Sequence, residues 1–368
     1  MKRPSWLLPP RPSTRAFIRE AHRKPGYSLF DWLHGYVYAA WPYLYIGIGT
    51  GEHPLAKRAR PVIALIDRLI SSRARPNPPT PFPTREGGEA APPSPRRGGA
   101  GGEVPRGGAG GEVPRGGAGG EVLRGGAGGE VLRGEVTFAD TYHGKVVTLA
   151  SATRLVSVNQ DVDLGDLEHV IPYKLARDIV LQHPDHIAVL DCPCRVSRKE
   201  PCLPLDVCLI VGEPFASFII EHQRKRARWI SSGEAIDILR AEHERGHVHH
   251  AFFKDAMLGR FYAICNCCAC CCGAMQAQRN GVPMLTASGY ISRVDESLCI
   301  GCGACAEHCQ FAAISVLDGH SIVDAAACMG CGVCVDLCEQ DALSLVRDAS
   351  KGIPLEIDVL MAKAVAHV

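Results

Sequence analysis

The chain has 368 residues, room for two or three domains, and its 40 Lys+Arg nearly cancel its 39 Asp+Glu to leave a net charge of +1. That balance provides no global attraction to nucleic acid or to an anionic membrane. Its 18 cysteines sit at ligand-like spacings in a long chain without a signal-peptide pattern, which argues against a secreted disulfide scaffold and for a reducing cytoplasm.

Residues 1–74 read as an aromatic-rich, mostly helical segment. Its densest part, 35–49, carries Tyr36, Tyr38, Trp41, Tyr43 and Tyr45. A membrane span needs about 20 apolar residues, whereas this run is shorter, contains Pro42 and ends in glycines. It predicts a buried packing helix and no transmembrane span, with peripheral membrane contact through the aromatics as the alternative. Over 55–70, Val62, Leu65, Ile66 and Leu69 fall near helical spacing and predict an amphipathic helix.

Residues 75–134 read as a disordered Pro/Gly-rich insertion. Pro76, Pro78, Pro79, Pro81 and Pro83 open it. From Arg97 to Leu132 the nine-residue unit Arg-Gly-Gly-Ala-Gly-Gly-Glu-Val-Pro/Leu then repeats four times. Such a stretch buries too little apolar surface to offset its ordering entropy. Its Arg-Gly pairs come with a glutamate and no aromatic in each unit, so nucleic acid is not an expected partner.

Residues 135–287 read as an α+β cysteine-rich domain. Strands are expected at 146–149, 155–158, 187–190 and 208–211, and a helix from Pro172 to Leu181 with Leu175, Ile179 and Val180 apolar. Ser231-Ser-Gly-Glu234 has the form of a capping box, opening a helix that carries Ile236, Ile238 and Leu239 and stops at Gly246. Two cysteine sets lie here. One is Cys192, Cys194, Cys202 and Cys208; the other is Cys265, Cys267, Cys268, Cys270, Cys271 and Cys272. Lone cysteines often serve as small buried hydrophobes, but six within eight residues do not fit that reading. Neighbours on a helix or strand point in different directions, so an irregular loop, or a split between two sites, is required. The first set alone could hold a third iron–sulfur cluster or zinc, and the cluster is preferred. Arg195 beside Cys194 could stabilise thiolate charge.

His243, His247, His249 and His250 are expected to be exposed or locally hydrogen-bonded, and His308 solvated. The basic run Arg224, Lys225, Arg226 and Arg228 reads as a solvated face, or one that docks an acidic redox partner. Neither a phosphate loop nor a catalytic Ser/His/Asp or Cys/His set can be assigned.

Two further runs stand at 288–347, ahead of a tail at 348–368. They are Cys299-Ile-Gly-Cys302-Gly-Ala-Cys305-Ala-Glu-His-Cys309 and Cys328-Met-Gly-Cys331-Gly-Val-Cys334-Val-Asp-Leu-Cys338. Both read C-x2-C-x2-C-x3-C, and a shift of 29 residues carries Cys299 onto Cys328 and every other ligand with it. Zinc also binds C-x2-C pairs, but two full runs in tandem favour iron–sulfur clusters. The region resembles the bacterial two-[4Fe–4S] dicluster ferredoxin domain, in which the fourth cysteine of each run ligates the other cluster. The resemblance implies Cys299, Cys302, Cys305 and Cys338 at one cluster, and Cys328, Cys331, Cys334 and Cys309 at the other. It departs after the fourth cysteines, where Gln310 and Glu339 replace the family's proline.

With its aromatic N-terminal segment, Cys192-Pro-Cys194-Arg195 and Ile264-Cys265-Asn-Cys267-Cys268, the whole chain resembles prokaryotic proteins described only as 4Fe–4S dicluster proteins. Cys271-Cys272-Gly273 also resembles a short motif of heterodisulfide reductase subunits. The expected fold is α+β: a helical N-terminal segment, an α/β cysteine-rich middle domain, a long insertion, and a ferredoxin-like pseudo-two-fold domain. The expected function is single-electron relay between redox partner proteins through two [4Fe–4S] clusters, with a third metal site in the middle domain. The alternatives are an oxidoreductase with a catalytic middle-domain cluster and a redox or metal sensor with structural clusters.

Overall fold

The computed structural model describes residues 10–56, 58, 142–165, 167, 170, 178–280, 282 and 284–366. The nine-residue repeats and most of the helix expected over 55–70 lie outside these residues. Among the described residues no helix is long and apolar enough to cross a membrane.

Three helices come first: α1 (Pro12–Arg23), α2 (Leu29–Ala40) and α3 (Pro42–Gly49). A capping box starts α2, since Ser28 Oγ accepts the Asp31 N–H and the Asp31 carboxylate accepts the Ser28 N–H. The packing helix expected over 35–49 is therefore two helices. They break at Trp41, because Pro42 has no N–H to continue the ladder.

An eight-stranded sheet follows: β1 (Tyr142–Val147), β2 (Val162–Leu164), β3 (Ile179–Asp191), β4 (Asp206–Glu213), β5 (Ala227–Ile230), β6 (Val248–Lys254), β7 (Arg260–Cys267) and β8 (Leu285–Thr286). The strand order is β2-β3-β4-β7-β6-β1-β8, with β5 on the same edge of β3 as β2. The pairings are antiparallel except for that of β1 with β8. Alternation sends Ile187, Val189, Leu209 and Val211 to one face and Ala188, Leu190, Cys208 and Ile210 to the other. The helices Leu149–Val156, Ser232–Glu244 and Ile357–Ala366 cover the first face. The second is covered by α1–α3 with the helices Phe215–His222 and Gly273–Arg279. Phe17 of α1 is fully buried and meets Phe215 and Phe218 edge to face at 5.7 and 6.0 Å. Burial of one such ring is worth about 1.5–3 kcal/mol, which makes the N-terminal helices part of the sheet's core.

The helix opened by Ser231 forms as expected, with the Glu234 N–H donating to Ser231 Oγ at 3.1 Å. Three other expectations are corrected. The strand expected over 146–149 ends at Val147, and 155–158 is not a strand: Leu155 and Val156 close the helix Leu149–Val156. Thr148 Oγ1 caps that helix by accepting the Ser151 N–H, and Leu149, Ala152, Leu155 and Val156 share its core-facing side. A four-residue window hides this helical spacing. The helix expected to run from Pro172 to Leu181 is strand at its end, where Ile179, Val180 and Leu181 pair with Leu164, Asp163 and Val162. Cross-strand packing overrides local propensity there.

The C-terminal part repeats one unit. Strand β9 (Tyr290–Val294) pairs with β12 (Leu343–Arg347), and β10 (Ile314–Leu317) with β11 (His320–Val323). The 29-residue shift carries the helix Ala304–Glu307 onto Val333–Asp336. This unit rests on the sheet domain, where Val146 of β1 and Val248 of β6 pack with Val333, Met329, Cys331 and Phe311.

Candidate metal centres

The two ferredoxin-like loops have matching backbones. Gly301 and Gly330 have φ of +64° and +65°, and a Cβ on either would lie 2.1 Å from a carbonyl oxygen, that of Gly319 or Tyr290. Only glycine fits. Cys299, Cys302, Cys305 and, from the other half, Cys338 line one cavity with Ile300 and Ser321. Around Cys331 the like-charged neighbours are Cys334, Cys309 and Cys328. Backbone N–H groups point at the sulfurs: Ser321 at Cys299 (3.4 Å) and Ala313 at Cys309 (3.2 Å). Val333 donates likewise to Cys331. Two serines related by the same shift contact sulfurs, Ser321 at Cys305 (3.1 Å) and Ser292 at Cys334 (3.3 Å). Thiol donors around one cavity, with amides aimed at sulfur, fit a cubane cluster.

The environments of the two halves differ. The first opens outward, with Ile300 66% exposed and Cys302 at the surface. There the Ser321 and Gly301 amides hold the Cys299 thiol below its ordinary pKa. The second half faces the sheet, and burial pushes Cys331 up to about 12 and Cys334 to about 11.

The ten middle cysteines fall into three groups that cut across the two expected sets. Cys202, Cys268, Cys270 and Cys271 bring all four sulfurs within 4.8 Å of one another. Cys202 lies 3.0 Å from Cys270 and 3.6 Å from Cys271. A tetrahedral zinc ion with Zn–S of about 2.3 Å needs sulfurs roughly 3.8 Å apart, so this compact group fits one tetrahedral ion. Hydrogen bonds from Cys268 and Cys270, with the Cys202 N–H, concentrate thiolate charge on Cys271 and pull its pKa far down, to about 2. The second group is a chain of thiol contacts from Cys192 to Cys194 to Cys272 to Cys267, the last at 3.2 Å. Cys194 is pushed up to about 12, because donation to Cys272 and burial outweigh the hydrogen bond it accepts from Cys192. The third is Cys208 with Cys265, register partners on β4 and β7 whose sulfurs lie 3.8 Å apart. The neighbours Cys271 and Cys272 thus serve different groups. No spacing rule shows this, because the ends of β3 and β7 that carry the cysteines are joined through β4. A further compact group, His183, Asp185 and His186, lies exposed in β3 and was not singled out in the sequence.

Arg195 is buried, and its guanidinium bonds Glu242, the Pro204 carbonyl (2.5 Å) and the Asn266 carbonyl (3.1 Å). Burial opposes its charge, but Glu242, and then Cys192 and Cys268, outweigh it. Of the expectation that His243, His247, His249 and His250 are exposed or locally hydrogen-bonded, exposure is corrected, since all four are buried, and hydrogen bonding holds for three of them. Sheet and helix packing turns them inward, where His243 meets Asp336 (2.6 Å), His247 meets Glu242 (2.7 Å) and His249 meets Asn266 (2.6 Å). Desolvation lowers His249 to about 4 and His250 to about 3. His308 is half-buried, and its Nδ1 lies 3.0 Å from the Ala304 carbonyl. In the basic run, Arg226 lies over the Tyr43 ring at 4.6 Å, and Arg228 pairs with Glu234 and Asp206.

One contact joins the two cysteine regions. The Ala269 N–H, between Cys268 and Cys270, donates to Gln310 Oε1 at 2.7 Å. Gln310 follows Cys309 and stands where the ferredoxin pattern has proline.

Fold and site together define an α+β chain with a C-terminal dicluster ferredoxin-like domain. The family model of the 4Fe-4S binding domain matches residues 292–315 and again residues 321–344. No curated protein and no solved structure matches the chain.

Proposed function

We propose that the chain is an iron–sulfur electron-transfer protein, working as a carrier or oxidoreductase subunit with redox partner proteins in the cytoplasm. Cys299, Cys302, Cys305 and Cys338 would hold one [4Fe–4S] cluster, and Cys328, Cys331, Cys334 and Cys309 the other. When bound, these groups supply one-electron oxidation and reduction. Cys202, Cys268, Cys270 and Cys271 would hold a third metal.

The observation that carries this reading is the Ala269–Gln310 hydrogen bond. It fixes the loop beside Cys309 against the loop that carries Cys268 and Cys270. Phe311 and Met329 pack against the sheet domain beside it. Cys302 and Ile300 remain at the opposite, exposed side, where a partner can approach. The polarity is from surface to outer half, then to inner half, then to the sheet domain. A second reading, an oxidoreductase whose middle-domain centre meets substrate, is favoured by one observation: Cys270 of the compact group is exposed.

The test is iron, acid-labile sulfide and zinc per chain on anaerobically purified protein, with EPR of the reduced state. The expected result is at least about eight irons and eight sulfides, the content of two cubanes, with a paramagnetic signal on reduction. Protein that carries zinc and no sulfide overturns the reading.

A further inference from the structure

We infer that Cys192, Cys194, Cys267 and Cys272 form a second metal centre of the sheet domain, an iron–sulfur cluster site separate from the Cys202 group. This rests on reading the chain as an iron–sulfur protein, and it adds a site that the relay described above does not include.

The topology brings the four together. Strands β3 and β7 both pair antiparallel with β4, so they run parallel and end at the same edge of the sheet. Cys192 follows β3, and Cys194 lies in the short helix after it. Cys267 ends β7, and Cys272 precedes the helix Gly273–Arg279. The Cys267 and Cys272 sulfurs lie 3.2 Å apart, and Cys194 neighbours both Cys192 and Cys272.

Backbone amides are aimed at these sulfurs. Arg195 donates to Cys192, Gly273 to Cys194, and Met275 to Cys272. A neutral thiol is a weak acceptor, whereas a metal-bound thiolate is a good one. The ferredoxin-like loops show the same arrangement, with Gly301 donating to Cys299 and Val333 to Cys331. If the four were only small buried hydrophobes, three N–H groups would be spent on poor partners.

The spread of the sulfurs separates this site from its neighbour. The Cys202 group gathers within 4.8 Å, as one ion requires; among the described residues the Cys192 series does not gather so closely. In this the series resembles the ferredoxin-like cysteines, of which no three gather within that distance either. The surroundings suit a cluster too. Cys267 and Cys272 belong to the core that Phe311 and Met329 of the ferredoxin-like domain pack against. Val248, beside Cys331, is the register partner of Cys267. The site therefore backs onto the inner ferredoxin half.

The experiment compares full-length proteins, purified and reconstituted anaerobically, for iron and sulfide. The variants are Cys267→Ser with Cys272→Ser, Cys208→Ser with Cys265→Ser, and Cys202→Ser with Cys270→Ser. The first pair is expected to lose iron and sulfide in equal number, about two to four of each. The second is expected to lose neither, and the third to lose one metal ion without sulfide. Unchanged sulfide in the first pair, or an equal loss in the second, overturns the inference. Should the first pair fail to fold, native mass spectrometry of the wild-type chain decides. Three clusters support the site and two or fewer overturn it. Failure of the electron-transfer reading would look different: Cys302→Ala and Cys331→Ala would then leave iron unchanged.

Discussion

The two cysteine-rich parts of this chain assemble four-thiol groups by opposite means. In the ferredoxin-like domain three of the cysteines lie in one loop, and the repeat supplies the fourth from its other half. In the sheet domain the contacting sulfurs of Cys202 and Cys271 are 69 residues apart in sequence. Only the pairing of β4 with its neighbours brings them together. A loop-built site depends on local backbone geometry, whereas a sheet-built site depends on the whole core. Mutations should therefore damage the first type one cluster at a time and the second type through stability.

The largest effect tests the loop-built side. Cys302→Ala and Cys331→Ala should each remove about four irons, from different clusters, seen as the loss of one of two reduced EPR components. Iron unchanged in both would break the ligand scheme. Next comes the sheet-built side. Glu242→Ala leaves the buried Arg195 guanidinium without its carboxylate, which should cost about 3–5 kcal/mol. In urea titrations any metal held by the sheet domain should then be lost before the signals of the proposed terminal clusters. A smaller effect returns to the loops. Gly301→Ala places a Cβ 2.1 Å from the Gly319 carbonyl at a φ of +64°. The left-handed backbone alone costs roughly 1–2 kcal/mol, and the outer cluster should become more labile than after Gly303→Ala, where the nearest atom is 3.9 Å away.

Acid should separate the two parts as well. Burial lowers His249 to about 4 and His250 to about 3, so the unfolded chain takes up protons near pH 6.5 that the folded sheet refuses. Stability from these groups is present above about pH 6.5 and is lost as pH falls through about 4. Denaturation midpoints should drop over that window, and His250→Phe, which suits the neighbouring Phe252 and Phe311 rings, should flatten the drop. Equal slopes in both proteins would remove His250 from the account. The smallest effect is at the junction. Gln310→Ala removes one neutral hydrogen bond, worth about 0.5–1.5 kcal/mol, and should leave metal content intact. It should slow reduction of the proposed sheet-domain iron–sulfur cluster in stopped-flow experiments, and an unchanged rate would break the proposed link.

The ferredoxin-like half was legible from the chain alone. Its cysteines, glycines and pseudo-symmetry follow a 29-residue repeat, because such a loop is a local object set by cysteine spacing and positive φ. The helix from Ser232 was legible for the same reason, since its cap and apolar face are local. Tertiary structure decided the rest. It turned residues 155–156 into helix and 179–181 into strand, where burial and ladder pairing outweigh four-residue patterns. It decided that four histidines are buried rather than exposed and gave Gln310 a partner that no spacing could reveal. It also regrouped the ten middle cysteines, sending Cys271 to Cys202 and Cys272 to Cys194. Which sulfurs meet depends on which strand ends share an edge of the sheet, and that is a property of non-local pairing.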